Sequence, residues 1–347
     1  MRNVYIVFTE YQLLQAMNLA TGMYSSFDFV NVIYIVRNGR RLNGLKSNEI
    51  DNLDNIKIVI LDQKPLSEVA KEILNENPDH FFIFQGNSEL NIYLGKSFSK
   101  KGVQVSLGPD GYGAYNIFDK KFPILTLIRD SVKGNRFLIQ NKLYDGKLFW
   151  FDYYKYGSHT FIDNIWVTHP SKYVHSAKNK VKILGLPHFN ERCITLIKSL
   201  FNFDENFPTT NAIYYFNQPL WGELVKKEFE FLEGVLNYFP DQKIIVKLHP
   251  LTSEEIKEKF RTYRRIHILE SNVPAEVILL QLQNCIVYSG WSSVLITENN
   301  TCNYYFNYPI YKRLKDRVME QSKISILDHI EMIDKPELMK FPDEQSK

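Results

Sequence analysis

A carboxylate, an imidazole and a pair of hydroxyls stand at the ends of three apolar runs that lie far apart in this sequence. Residues 103–107 run into Gly108-Pro109-Asp110-Gly111, residues 243–248 into His249-Pro250, and residues 286–288 into Ser289-Gly290-Trp291-Ser292-Ser293. In open α/β sheets, ligands bind just beyond the carboxyl ends of the strands. All three reactive groups are therefore delivered to ligand-type positions. A base, a proton or hydrogen-bond donor and a phosphate cradle are together what transfer of a sugar from a nucleotide donor requires.

Each group also has a plainer reading. Pro109-Asp110-Gly111 is an ordinary turn sequence, yet Gly108, Gly111 and Gly113 make a loop able to approach a ligand closely. Asp110 in such a loop is a candidate base, and Gly111, Tyr112 and Tyr115 are candidates for contact with an acceptor sugar. His249 is either structural or a group that titrates near neutrality and supplies a proton or hydrogen bond to a phosphate oxygen. Ser292 and Ser293 are expected to open a helix, as a simple cap or as a phosphate site built on free N–H groups; Ser289 stands beside them. Glu276 begins another expected helix, where it complements the dipole or binds the two hydroxyls of a ribose. Gln218 and Pro250 stand at neighbouring strand ends as candidates for the nucleotide.

The elements that must position these groups follow from hydrophobic periodicity. Strands are expected at 4–8, 29–36, 56–61, 81–84 and 102–107, with helices at 11–23, 66–75 and 91–100 between them. Residues 116–180 are harder to read and contain a short strand near 165–167. The alternation restarts with strands at 211–216, 243–248, 266–269, 285–288 and 302–306, separated by helices at 223–238, 253–263 and 274–283. Such alternation predicts parallel sheets with crossover helices. The expected division is a first Rossmann-like domain over 1–195, a second over 205–330 that binds the nucleotide, and a tail over 331–347.

Composition bounds the partners. A chain of 347 residues suggests two domains of about 150 residues each. With 44% hydrophobic and 23% charged residues it reads as globular, and a net charge of +3 gives no electrostatic case for nucleic acid. Basic clusters at Arg37, Arg40, Arg41 and Lys46, at 257–265 and at 312–317 read as solvated faces, or as contacts for an anionic membrane surface or glycan. Cys193, Cys285 and Cys302 show no metal-ligand spacing and fit a reducing compartment. The opening run is too short for a signal peptide, and no stretch reaches the roughly 18 apolar residues of a membrane span. A cytoplasmic address, peripheral at the inner face of the membrane at most, is expected. Aromatic patches are compatible with a homodimer, though no segment compels one. No Asp-x-Asp pair is placed to hold a divalent metal, and no P-loop or Gly-x-Gly-x-x-Gly fingerprint is present. The expectation is a chain without metal or cofactor.

Taken together, Pro109-Asp110-Gly111, His249-Pro250 and Ser292-Ser293 resemble, in order, the motifs of bacterial sialyltransferases of GT-B architecture. The opening Thr9-Glu10-Tyr11-Gln12-Leu13-Leu14 is similar to the first-strand loop of the lipooligosaccharide sialyltransferase and polysialyltransferase-like families, and Glu276 to a family glutamate that contacts the cytidine ribose. The resemblance implies two Rossmann-like domains facing a central cleft, with Thr9, Glu10 and Gln12 toward acceptor or sugar. It implies an inverting transfer of sialic acid or a related nonulosonic acid from a CMP donor to a glycan hydroxyl, on a surface polysaccharide or lipooligosaccharide. Asp110 would be the base, His249 the group acting on the departing phosphate, and the serines its cradle. One position departs from the family pattern: Pro109 stands where the motif has its first acidic residue. Two alternatives stay open: a GT-B transferase with another CMP or CDP donor (Kdo or polyol phosphate), and an inactive glycan-binding homologue.

Overall fold

Val4, Tyr5, Ile6 and Val7 are all fully buried, because their strand has a parallel neighbour on each side and is covered on both faces. This is the environment that selects a continuous apolar run instead of an alternating one. Each fully buried aliphatic side chain of this kind stabilises the fold by about 1.5–3 kcal/mol. The computed structural model describes residues 1–37, 42, 45, 55–62, 64–115, 123–144, 146, 148–151, 156–157, 159–173, 181–203, 207–271, 273–290, 292–307 and 327–342. Arg40, Arg41, Lys46, Trp291 and the basic stretch 312–317 lie outside the described residues, as does the side chain of Tyr112.

The chain divides into two units, Met1–Asn202 and Phe203–Lys347. The first contains β1 (Arg2–Val7), α1 (Glu10–Gly22), β2 (Val30–Val36), β3 (Ile56–Leu61), α2 (Leu66–Leu74), β4 (His80–Ile83), α3 (Glu89–Lys100) and β5 (Gln104–Leu107). It continues through α4 (Pro123–Gln140), β6 (Asn164–Val167), β7 (Lys182–Gly185) and α5 (Glu191–Phe201). The strands form one parallel sheet in the order β3-β2-β1-β4-β5-β6-β7. The order reverses between β1 and β4, so the crevice of a doubly wound sheet falls there. Register sets Ile6 opposite Ile83 and Ile83 opposite Leu107. The loops after β1, β4 and β5 therefore leave the sheet level with one another.

Helix α1 starts where Thr9 Oγ1 accepts the backbone N–H of Gln12 at 3.2 Å, satisfying one of the orphan donors of the first turn. Its expected apolar stripe, Leu13, Leu14, Met17 and Ala20, is buried, but so are Gln12, Gln15, Asn18 and Thr21. The reason is α5, which packs against α1 in addition to the sheet. Asn18 donates to the carbonyl of Pro187 at 2.8 Å, tying the segment ahead of α5 to α1. Helix α5 thus belongs wholly to the first unit, where the sequence reading had cut it at residue 195.

The second unit contains β8 (Ile213–Phe216), α6 (Glu223–Tyr238), β9 (Ile244–Lys247), α7 (Glu254–Arg261), β10 (Ile266–Ile268), α8 (Ala275–Leu279), β11 (Cys285–Ser289), β12 (Cys302–Phe306) and β13 (Ile330–Met332). Its parallel sheet runs β10-β9-β8-β11-β12-β13, the Rossmann order, with its crevice between β8 and β11. Phe216 pairs with Lys247, and Tyr215 with Tyr288, so the loops after β8, β9 and β11 share one rim.

Three expectations are corrected in this unit. Of the expected tail, the described part, 331–342, is built into the unit: β13 is a strand of the sheet, and Ile333, Met339 and Phe341 complete the core around Phe229, Leu232 and Tyr288. Helix α8 is only five residues long. The helix expected from Ser292 is a single 3-10 turn, Ser293–Ile296, too short to build an α-helical macrodipole. Strand β7, with half-buried Ile183 and Leu184 between exposed ends, is an edge strand whose Lys182-Ile183-Leu184-Gly185 pattern carries little apolar signal. Cys285 and Cys302, distant in sequence, lie opposite each other on β11 and β12, and all three cysteines are free and buried. Among the described residues, no helix is long and apolar enough to cross a membrane.

Candidate active site

In the first unit, Gln12 links the loop after β1 to the loop after β5. Its Oε1 accepts the backbone N–H of Phe8 at 2.8 Å, and its Nε2 donates to Asp110 Oδ1 at 2.9 Å. Asp110 is thereby oriented by a side chain that is itself fixed at both ends. The loop that carries Asp110 is held from three sides. Gly108 N–H donates to Ile83 O at 2.7 Å, and the Tyr156 hydroxyl donates to the Gly108 carbonyl. A Cβ at Gly108 would meet the Phe84 ring at 2.4 Å, so only glycine fits there. Gly111, at φ +62°, occupies the left-handed region that starts the following 3-10 turn. Burial and the nearby Asp110 carboxylate push the Tyr156 phenol well above its ordinary pKa, so it remains a neutral donor.

Two expected sugar contacts serve the scaffold instead. Glu10 Oε1 accepts the N–H of Leu42 at 2.6 Å. Leu42 has a φ of +59°, and a charge-assisted hydrogen bond offsets the strain of a bulky residue in that region. Tyr115 is 1% exposed, and its hydroxyl accepts the N–H of His169 at 2.9 Å. It packs inside the unit and presents no surface to a sugar. Thr9 is the cap of α1, as described above.

Phe8, whose N–H the Gln12 side chain accepts, also lines a cavity of about 660 Å³, together with Arg37, Lys64, Gln85, Asn87 and Ser88 among others. These residues follow β1, β2, β3 and β4, so the cavity occupies the reversal point of the sheet. Its volume is within the usual range for small-ligand sites. Arg37 pairs with Asp62 at 2.8 Å and donates to Leu45 O at 3.2 Å. Its Nε is buried with no partner among the described residues. By sequence, Arg37 belongs to a basic cluster that reads either as a solvated face or as a contact for an anionic membrane surface or glycan; its position immediately after an apolar strand is the signal that it lines a cavity.

In the second unit, His249 follows β9 and is held by its own turn. Nδ1 accepts the backbone N–H of Leu251 at 3.1 Å, and Thr252 N–H donates to His249 O at 2.9 Å. A neutral imidazole whose Nδ1 accepts carries its proton on Nε2. The backbone N–H of His249 donates to Asn217 Oδ1 at 3.3 Å, and the Thr252 hydroxyl donates to the same oxygen at 2.6 Å. Asn217 follows β8, and its N–H donates to Lys247 O at 3.0 Å, so the two strand ends are stitched together. Asn217 is not among the candidates that the sequence singles out.

The serines divide. Ser289 is fully buried and donates to Phe216 O at 2.7 Å; it ties β11 to β8 and is not aimed at a ligand. Ser292 caps the 3-10 turn, its Oγ accepting from Val294 N–H at 3.4 Å, while Ser293 opens that turn and is half-buried. Gln218 is half-buried and donates to Asn217 O at 3.0 Å; Pro250 is exposed. Glu276 is 3% exposed. Burial raises its carboxyl to about 7, against the pull of the Lys247 ammonium. It sits under the rim, not on it, so the expected open ribose-binding edge is not what α8 offers.

Two parallel-sheet units, each with polar residues gathered at the carboxyl ends of its strands, define a GT-B fold. That fold is shared with the sialyltransferase of Photobacterium damselae: its GT-B domain, residues 113–497, matches with a TM-score of 0.55 at 13% identity, covering 95% of this chain and 98% of that one. A sialyltransferase structure from Photobacterium damsela matches with a TM-score of 0.55 at 15% identity, covering 96% of this chain and 81% of the other. The MnaA–UDP structure from S. aureus matches at 0.49 and 11% identity, covering 85% and 75%. No curated protein matches the sequence. The chain is a glycosyltransferase of the sialyltransferase type. Residues 3–305 match the alpha-2,8-polysialyltransferase family, and the protein belongs to it.

Proposed function

We propose that this glycosyltransferase is an inverting enzyme that moves sialic acid, or a related nonulosonic acid, from a CMP donor to a glycan hydroxyl without a metal. Asp110 removes the proton of the acceptor hydroxyl as that oxygen attacks the anomeric carbon. The bond from that carbon to the phosphate oxygen breaks, and CMP leaves. A single displacement of this kind inverts the anomeric centre. His249 donates the Nε2 hydrogen to a phosphate oxygen of the departing CMP, and Ser292 and Ser293 add hydroxyls there. A monophosphate leaving group needs less charge compensation than a diphosphate, which is why these neutral donors suffice. The remainder of the acceptor occupies the cavity over β1 to β4.

One observation supports the reading above the others. The hydrogen bond from Leu251 N–H to His249 Nδ1 gives the imidazole a defined tautomer at the rim of the reversal point. A histidine held there for packing alone would not need its donor nitrogen specified. The test is CMP release from a CMP-sialic acid donor with a sialylated oligosaccharide acceptor, in the presence of EDTA, with the product's anomeric configuration read by NMR. CMP release and inversion are expected. Turnover of CDP-glycerol with none of CMP-sialic acid, or retention at the anomeric carbon, would sink the reading.

A further inference from the structure

Glu228 lies in the buried stripe of α6, one turn from Leu224 and one turn from Leu232, and is 2% exposed. A leucine there would complete the stripe. The carboxyl is instead placed where its desolvation is costly, and burial raises it to about 7. Its Oε1 accepts from the Tyr215 hydroxyl and from Asn217 Nδ2, the latter at 2.5 Å. Oε2 is buried with no partner among the described residues, which suits a proton on that oxygen.

Asn217 is an isosteric switch: its amide can present oxygen or NH2 to either side with no change of shape. The loop side offers two donors, the His249 N–H and the Thr252 hydroxyl, and needs the oxygen. Among the described residues, the helix side offers the acceptor Glu228 Oε1 and needs the NH2. We propose that Glu228 is a positioning residue for His249: by accepting the Asn217 amide hydrogens it commits the Asn217 oxygen to the His249 loop. This rests on the donor-side role given to His249 above. Without an acceptor at 228, the amide is released to turn its NH2 toward the His249 N–H. Donor would then face donor, and the turn that holds Nδ1 against Leu251 loosens.

The experiment compares E228M, E228Q, Y215F and N217A in the full-length protein. Two quantities are read: kcat and donor KM for CMP-sialic acid, and the tautomer of His249 from 15N-labelled histidine spectra. E228M is expected to lower kcat about 10²-fold, as misplacement of a reacting group does, with donor KM little changed, and to replace the single Nε2–H tautomer by a mixture. E228Q keeps an acceptor oxygen and is expected to retain both kcat and tautomer; Y215F, which removes only the other donor to Glu228, retains both as well. N217A is expected to match E228M and carries the test if E228M does not fold. The proposal is overturned if E228M keeps kcat and the tautomer, if N217A does so, or if Y215F loses them as fully as E228M. If His249→Ala keeps kcat, the role given to His249 fails instead, while the 15N signature still reports whether Glu228 holds the ring.

Discussion

Gln12 and Asp110, 98 residues apart in sequence, share a hydrogen bond of 2.9 Å that joins the first strand's loop to the fifth's. The amide is neutral, so it orients the carboxylate without pairing it to a cation. Substitutions at the two positions should separate in size. Asp110→Asn keeps the shape and removes the base, and kcat should fall by about 10²–10⁴-fold. Gln12→Leu keeps the base and removes its support. A smaller loss in kcat, with the donor KM unchanged, is expected from steady-state kinetics. Equal losses at both positions would mean that Gln12 does more than orient.

The cavity over β1 to β4 makes a different demand. Arg37 lines it and keeps a buried Nε without a partner among the described residues. Arg37→Ala should raise the acceptor KM about tenfold or more, the worth of a hydrogen bond from a charged donor. CMP affinity, measured by calorimetry, should not change. A weakened CMP affinity with an intact acceptor KM would move the acceptor elsewhere.

The two units should respond to pH in opposite directions. Burial lowers His80 to about 3, where it bonds Ser106 Oγ at 2.7 Å in the first unit. Between about 3 and 6.5 the unfolded chain binds the extra proton, so unit 1 gains stability as pH rises through that window, by about 5 kcal/mol in all. Glu228 and Glu276 in the second unit are raised to about 7 from 4.5. There the folded state holds the extra protons, and stability is lost as pH rises from about 4.5 to 7, by about 3 kcal/mol for each group. Calorimetric scans at pH 5 and pH 8 should show one transition moving up and the other down. E228Q should raise the second transition relative to the parent at pH 8 more than at pH 5. An equal shift at both would show that Glu228 does not titrate in this range.

Gly108→Ala should destabilise the first unit by about 1–3 kcal/mol, the usual effect of overpacking, because its Cβ would stand 2.4 Å from the Phe84 ring. Phe84→Leu in the same chain should recover part of that loss. Denaturant titration of the single and double variants measures it.

Much of this architecture was legible in the sequence, and for a physical reason. Strands such as Val4-Tyr5-Ile6-Val7 and Ile286-Val287-Tyr288 are buried on both faces and therefore written in unbroken apolar residues. Strand β13 was not, because only Ile330 of its three residues is buried. Asp110 and His249 were found because reactive side chains at strand ends are local signals. Glu228 and Asn217 were missed because their meaning lies in a pairing across 11 positions. An isolated carboxyl in the apolar stripe of α6 was the trace they left. Ser289 and Tyr115 were over-read: a hydroxyl near a ligand-type loop is as readily spent on a neighbouring carbonyl or N–H, and sequence does not say which.

The late arrival of β13 bears on how the chain emerges from the ribosome. All seven strands of the first sheet precede residue 186, so that unit can close while its successor is still being made. The second sheet must wait with its β12 edge unpaired and its core open until Met339 and Phe341 have been added. That interval exposes strand edge and apolar surface together, the combination most prone to aggregation.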